Sequence, residues 1–231
     1  MPDKQIIALF DLDGTLYDGH VWEALWRYNR THKTKLGTLY FFMLYHMPFI
    51  ILQKLGLISR ELSHKAWGEH MPWMFRNITP QQAEKIWIWM YQHEIKSNLR
   101  PDILAKIAQH KKAGHLVWLV SGAFQPLIEL IAGDIGADMG IGTQLKQKNG
   151  RYTGGIIKPL NIGNGKKSRI LSAVEDTNID LTISHFYTDS ITDLAVIEIV
   201  GSPCVVYPDP ELRVLAEANK WLVIDGGPAS P

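Results

Sequence analysis

Asp11 and Asp13 stand two residues apart in Asp11-Leu12-Asp13-Gly14-Thr15, directly after the apolar run Ile6-Ile7-Ala8-Leu9-Phe10. Two carboxylates at the end of a buried strand carry a desolvation cost that something must offset. A hard divalent cation does so, and Mg²⁺ takes a few carboxylates together with waters and substrate phosphate oxygens. Gly14 lets backbone approach a ligand closely and leaves N–H groups for anionic oxygens. Asp13 could protonate a leaving alkoxide and afterwards activate water, acting as general acid and then base. Taken alone, Asp-Gly is ordinary turn chemistry. Its place after a buried strand is what points to a site.

A second acidic pair, Asp189 and Asp193, lies in Tyr187-Thr188-Asp189-Ser190-Ile191-Thr192-Asp193. A spacing of four would put both on one face of a helix beginning at Ser190. By itself the pair reads as a helix cap and a solvated helical residue. Beside Asp11 and Asp13 it completes a Mg²⁺ site. Ser121-Gly122 offers a hydroxyl and backbone N–H groups suited to a phosphate oxygen. Lys166 or Lys167, in Gly163-Asn164-Gly165-Lys166-Lys167-Ser168, could neutralise the phosphate and the Asp11 carboxylate together. The residues alone do not choose between the two lysines.

These groups need elements that bring them to one place. The run ending at Phe10 reads as a strand buried on both faces, as in a parallel sheet. Similar runs are Leu116–Val120, about 183–187, and Cys204–Tyr207, and polar, reactive-looking residues occupy three of the four ends. Helices are expected between them, at 101–110 with a basic last turn and Gly114 as a stop, at 168–174, and at 193–200. Alternating strands and helices imply an α/β, mostly parallel sheet with right-handed crossovers. Ligands bind beyond the carboxyl ends of such strands, which is where the candidate residues fall. Asn149-Gly150 predicts a hairpin turn near an antiparallel edge, and Gly226–Pro231 a frayed tail.

The formal net charge of +1 gives no global pull toward nucleic acid. Cys204, the single cysteine, precludes an internal disulfide and reads as a buried structural thiol. Its use suits a reducing compartment. The first residues lack the charged-then-apolar pattern of a signal peptide, so a cytoplasmic protein is the default expectation.

Taken in order, these four elements resemble the haloacid dehalogenase (HAD) superfamily of phosphatases across nearly the whole chain. Asp11-Leu12-Asp13-Gly14-Thr15 matches its first motif, Val120-Ser121 the second, Lys166 in preference to Lys167 the third, and Asp189 with Asp193 the fourth. Thr153-Gly154 and the Tyr187-Thr188-Asp189-Ser190 run look like the subgroup that includes phosphoserine phosphatase. Thr188 departs from the glycine that many members carry before the fourth-motif aspartate.

The resemblance implies a Rossmann-like, doubly wound core with a helical cap inserted after the first strand. It divides the chain into a core of residues 1–16 and 95–231 and a cap of 17–94. It also implies a Mg²⁺-dependent phosphomonoesterase working through an aspartyl phosphate. Asp11 would be the nucleophile and a metal ligand. Asp13 would be the general acid and base, binding the metal through its carbonyl. Asp189 and Asp193 would complete the metal site, while Gly14, Ser121, Gly122 and Lys166 hold the phosphoryl oxygens.

Within the expected cap, Leu39–Leu52 is broken only by His46 and Pro48 and follows the basic Arg27, Arg30, Lys33 and Lys35. It is short of the ~20 residues a membrane span requires. Such a stretch suits a cap core, a homodimer interface, or a segment lying on a membrane or against a lipid tail. The substrate is therefore expected to be a small phosphorylated metabolite or a lipid phosphate. His20, near the first motif, reads as a surface residue or a substrate contact. Phosphotransfer to an acceptor other than water, and a membrane-surface binding role on a HAD core, are the alternatives.

Overall fold

The structure, a computed structural model, describes residues 4–225, the side chains of 60 and 61 excepted. The expected tail at 226–231 lies outside the described residues. Six strands form one sheet in the order β3-β2-β1-β6-β7-β8. These are β1 (Ile7–Phe10), β2 (Leu116–Phe124), β3 (Met139–Thr143), β6 (His185–Thr188), β7 (Ser202–Val206) and β8 (Leu222–Ile224), and every pairing is parallel. β4 (Leu145–Lys148) and β5 (Arg151–Ile156) make a separate antiparallel pair.

Side-chain alternation along β1 splits the core in two. Ala8 and Phe10 face one cluster with Tyr187, Ile103 and Ile107, while Ile7 and Leu9 face another with Phe186, Ile170 and Leu212. α5 (Pro101–Lys112) and α6 (Gln125–Asp134) cover the first face. α7 (Asn164–Val174), α8 (Leu194–Ile197) and α9 (Pro210–Asn219) cover the second. Helices on both faces of a parallel sheet are the doubly wound arrangement expected. Phe10 is fully buried and stacks on Tyr187 at 4.4 Å. Burial of one such side chain stabilises the fold by ~1.5–3 kcal/mol.

After β1 the chain forms α1 (Val21–Thr31), α2 (Leu36–Lys54), α3 (Arg60–His70) and α4 (Pro80–Met90). α4 starts on a capping box, in which Thr79 accepts from the Gln82 amide and Gln82 accepts from the Thr79 amide. A π-helical turn, Tyr91–Ile95, follows, so a boundary at 94/95 would cut through a turn. The chain rejoins the core a little later: Asp18 donates to the Asn98 carbonyl and Arg100 to the Leu16 carbonyl.

α2 runs for 19 residues, which removes the expectation that this stretch is too short for a span. Pro48 is tolerated inside it. One side is held: Phe42 meets Trp67 edge-to-face at 4.7 Å, and buried His46 lies 3.3 Å from His70. On the other side Tyr40, Phe41, Leu44 and Met47 are exposed.

Asn149 and Gly150 both take positive φ, which a two-residue hairpin turn requires. The hairpin does not edge the main sheet, however. Tyr152 instead exchanges backbone hydrogen bonds with Asn77 and Ile78, so β5 leans on the segment before α4.

Candidate active site

β1 delivers Asp11 one residue past its last paired position, where the Asp11 amide donates to the Tyr187 carbonyl of β6. Asp189 follows β6 in the same way. Asp11, Asp13, Ser121, Gly122, Lys166, Asp189 and Asp193 line a single cavity of about 450 Å³ at the carboxyl ends of the strands. Every residue assigned from the sequence, Gly14 excepted, lines this cavity.

Of the two candidate lysines, Lys166 is the one that reaches the acids. Its Nζ lies 2.9 Å from Asp11 Oδ1 and 2.7 Å from Asp193 Oδ2, and all three side chains are buried. Lys167 lines a different surface depression. The helix that carries Lys166 starts at Asn164, four residues before the expected Ser168, so the lysine sits in its first turn. Gly165 explains the early start: a Cβ there would overlap the Leu160 carbonyl, so only glycine lets the helix begin against that turn.

Gly14 departs from the expected role. Its N–H already donates to the carbonyls of Tyr17 and Gly19, at 2.9 and 3.2 Å, so it is not a spare donor for phosphate. It is needed for space. Its φ is +75°, and a Cβ would collide with the Asp189 carboxylate.

The second pair also differs in detail. Ser190 caps a 3₁₀ turn, Ile191–Asp193, and the α-helix begins only at Leu194. Asp189 therefore precedes the helix rather than sharing a face of it with Asp193. Asp193 Oδ2 accepts from Lys166 and from Thr188 Oγ1 at 2.8 Å. Thr188, which the motif comparison marked as a departure, thus orients Asp193.

Ser121 and Gly122 lie within β2, not after it. The pairing of β2 with β3 shifts register between Val120 and Phe124, and this irregular stretch carries them. Ser121 Oγ accepts from the Ala123 amide, which leaves its hydroxyl proton to donate elsewhere. Several supporting contacts carried no sequence signal. Buried Asn161 donates to the carbonyls of Ser121 and Ile141, and Thr15 Oγ1 donates to Asp189 Oδ1. Asp13 Oδ1 accepts from the amide of Val21, the first residue of α1. Helix-terminal amides near an acid are routine, but only the fold shows which acid they reach.

The donor set tests for a cation. Four carboxylates share one ammonium in the cavity among the described residues. Burial raises Asp13 to about 7, with Asp11 adding to it and the Val21 amide opposing. Burial, then Asp11 and Asp193, raise Asp189 to about 8. Burial also pushes Asp11 up against the pull of Lys166. In Lys166 burial favours loss of the proton, but Asp11 and Asp193 outweigh it and raise the group. Clustered oxygen donors with excess negative charge fit a hard divalent cation.

The sign of the resulting pH effect follows. Folded values above the unfolded ones mean that folding retains protons, so stability falls as pH rises through the window. Buried His46 and His110, held down at about 4, act oppositely, but only below the ordinary imidazole value of 6.5. Without metal, stability is expected to drop between about pH 7 and 8, and Mg²⁺ should remove that slope. Urea midpoints in EDTA and in Mg²⁺ at the two pH values check this. Equal midpoints in EDTA would contradict it.

The chain is similar to known proteins along its length. A phosphoserine phosphatase of Mycobacterium tuberculosis is 27% identical, over 96% of this chain and 71% of its own. A Bordetella pertussis protein of unknown function superposes with a TM-score of 0.81 at 25% identity, over 96% of this chain and 99% of that one. A phosphoserine phosphatase captured as a phospho-aspartyl intermediate analogue shares the fold, with a TM-score of 0.65 at 18% identity over 96% and 94% of the two chains. The family model described as haloacid dehalogenase-like hydrolase matches residues 8–198, from β1 through α8. With that span it takes in all four motifs, and the chain belongs to the haloacid dehalogenase-like hydrolase family.

Proposed function

We propose that this hydrolase cleaves phosphomonoesters by transferring the phosphoryl group to Asp11. The observation that carries the reading is Asp11 itself, anchored by Lys166 at 2.9 Å in a cavity that also holds Asp13, Ser121 and Asp189. A carboxylate oxygen of Asp11 attacks phosphorus, and the P–O bond to the alcohol breaks as Asp13 gives the leaving oxygen its proton. A water molecule, losing its proton to Asp13, then attacks phosphorus and frees Asp11. Lys166 and the Ser121 hydroxyl hold the phosphoryl oxygens. Mg²⁺, held by Asp11, Asp189, an oxygen of Asp193 and the Asp13 carbonyl, would supply positive charge to the equatorial oxygens.

We assign the helical segment between residues 17 and 98 the role of a cap. α1 fixes Asp13 through the Val21 amide, and Trp22, Ile50, Trp67 and Met71 line the same cavity as the aspartates. No arginine lines the cavity among the described residues, and its one lysine is engaged by Asp11 and Asp193. A substrate carboxylate would find no arginine or lysine beyond the Lys166 already committed to the aspartates and the phosphoryl group, at a cost set by burial of an unpaired charge. The favoured substrate is therefore an apolar phosphomonoester without a carboxylate, with a lipid phosphate the extreme case.

A panel with Mg²⁺ tests this. Phosphorylated alcohols of increasing alkyl length and lysophosphatidate are expected to exceed phosphoserine in kcat/KM. Preference for phosphoserine would reject the substrate class and leave the phosphatase reading intact. Absence of hydrolysis of p-nitrophenyl phosphate in Mg²⁺ would reject both.

A further inference from the structure

Three histidines meet at the end of the sheet opposite the aspartates. His110 closes α5, His115 immediately precedes β2, and His185 opens β6. β2 and β6 flank β1, and His185 is level with Ala8. Ala8 faces the same side of the sheet as Phe10 and Tyr187, and the Phe10 ring meets His110 edge-on at 6.0 Å. The ring centroids of His110 lie 5.1 Å from His115 and 4.6 Å from His185, and one ring nitrogen from each residue falls within 4.8 Å of the others.

We propose that His110, His115 and His185 form a transition-metal site of the Zn²⁺ type, separate from the catalytic carboxylates. Nδ1 of His110 and Nδ1 of His115 share a hydrogen bond at 2.9 Å, whose proton a bound cation would displace. Two imidazoles bound to one tetrahedral Zn²⁺ hold their nitrogens about 3.4 Å apart, as follows from Zn–N bonds of ~2.0–2.1 Å. A small opening of this pair, with a turn of His185 toward it, would admit the ion. Imidazole donors select Zn²⁺, Cu²⁺ or Ni²⁺ over Mg²⁺.

The far side of His110 is already arranged for this. Its Nε2 lies 2.9 Å from the Tyr187 hydroxyl. When Nδ1 binds metal, the ring proton moves to Nε2 and the Tyr187 oxygen accepts it, which fixes ring and tautomer as metal-bound histidines require. Burial, together with His185, His115 and Lys106, holds His110 at about 4, so it is unprotonated at neutral pH. Burial and His115 likewise lower His185. His115 and His185 are partly exposed, which gives the ion an entry path.

The test uses the full chain in millimolar Mg²⁺, which occupies the carboxylate site. Titration with Zn²⁺, followed by native mass spectrometry, is expected to show one retained equivalent. At a hundredfold excess over Kd the Tm should rise by about 5–10 °C. His115→Gln and His185→Gln should each match the parent Tm in EDTA, yet lose the retained equivalent and the rise. No retained Zn²⁺ in the parent, or an unchanged equivalent in both variants, would overturn the site.

Discussion

Asp11→Asn is expected to lower kcat by more than ~10³-fold while the protein stays folded, a loss larger than that for one electrostatic donor. The amide keeps the shape of the carboxylate and can still accept from Lys166, whose Nζ is 2.9 Å from Oδ1. What it loses is the anionic oxygen that forms the bond to phosphorus. It also removes one of four crowded acids, so metal-free stability should rise slightly. Asp13→Asn gives the informative contrast. Loss of a general acid–base group costs ~10²–10⁴-fold, but p-nitrophenyl phosphate releases p-nitrophenolate, which departs without a proton from an acid. The Asp13→Asn protein is therefore expected to gain one covalent phosphoryl group in intact-mass spectra, and Asp11→Asn none. Parent-level turnover in Asp11→Asn, or a phosphoryl group retained on that variant, would remove Asp11 from the role of nucleophile.

The local sequence was readable wherever one physical demand acted on adjacent residues. Ile7–Phe10 is apolar on both faces because helices cover both, and the two acids that follow could not be packing residues. Strands whose residues answer to tertiary neighbours were not readable. β3, Met139-Gly140-Ile141-Gly142-Thr143, looks too rich in glycine for a strand. Gly140 lies against the Ile128 backbone and Gly142 against Ala123 and Gln125, positions with no room for a side chain. β8 has only three residues at the edge of the sheet.

At the site, the aspartates were legible from motif and position. The contacts that support them were not, since Asn161, Thr15 and Thr188 act through hydrogen bonds that span up to 174 residues of sequence. The hydrogen bonds to Tyr17 and Gly19 that take up the Gly14 amide were equally hidden. Turn geometry, not residue type, decides which N–H groups remain free.

Lys166→Met should be the most destabilising single change in the site. Methionine keeps the length of the side chain, so the loss is one of charge rather than volume. Asp11 and Asp193 would then face each other, buried, without the ammonium that now lies 2.9 and 2.7 Å from them. Removing one partner of a buried pair costs ~3–5 kcal/mol because the other charge stays behind uncompensated. For a chain of this size that lowers Tm by about 6–20 °C.

The same reasoning identifies the control. Asp193→Asn in the Lys166→Met background takes away one of the stranded charges, so the double variant should recover part of the lost stability. Mg²⁺ should restore part of it as well, but not turnover, because the cation offsets Asp11 without replacing the lysine against the phosphoryl oxygens. Lys166→Arg is not expected to rescue either property. Its planar fork does not fit where a compact ammonium sits between two carboxylates inside the core. A Tm loss equal in Lys166→Met and in the double variant would mean that packing, not charge, holds this lysine in place.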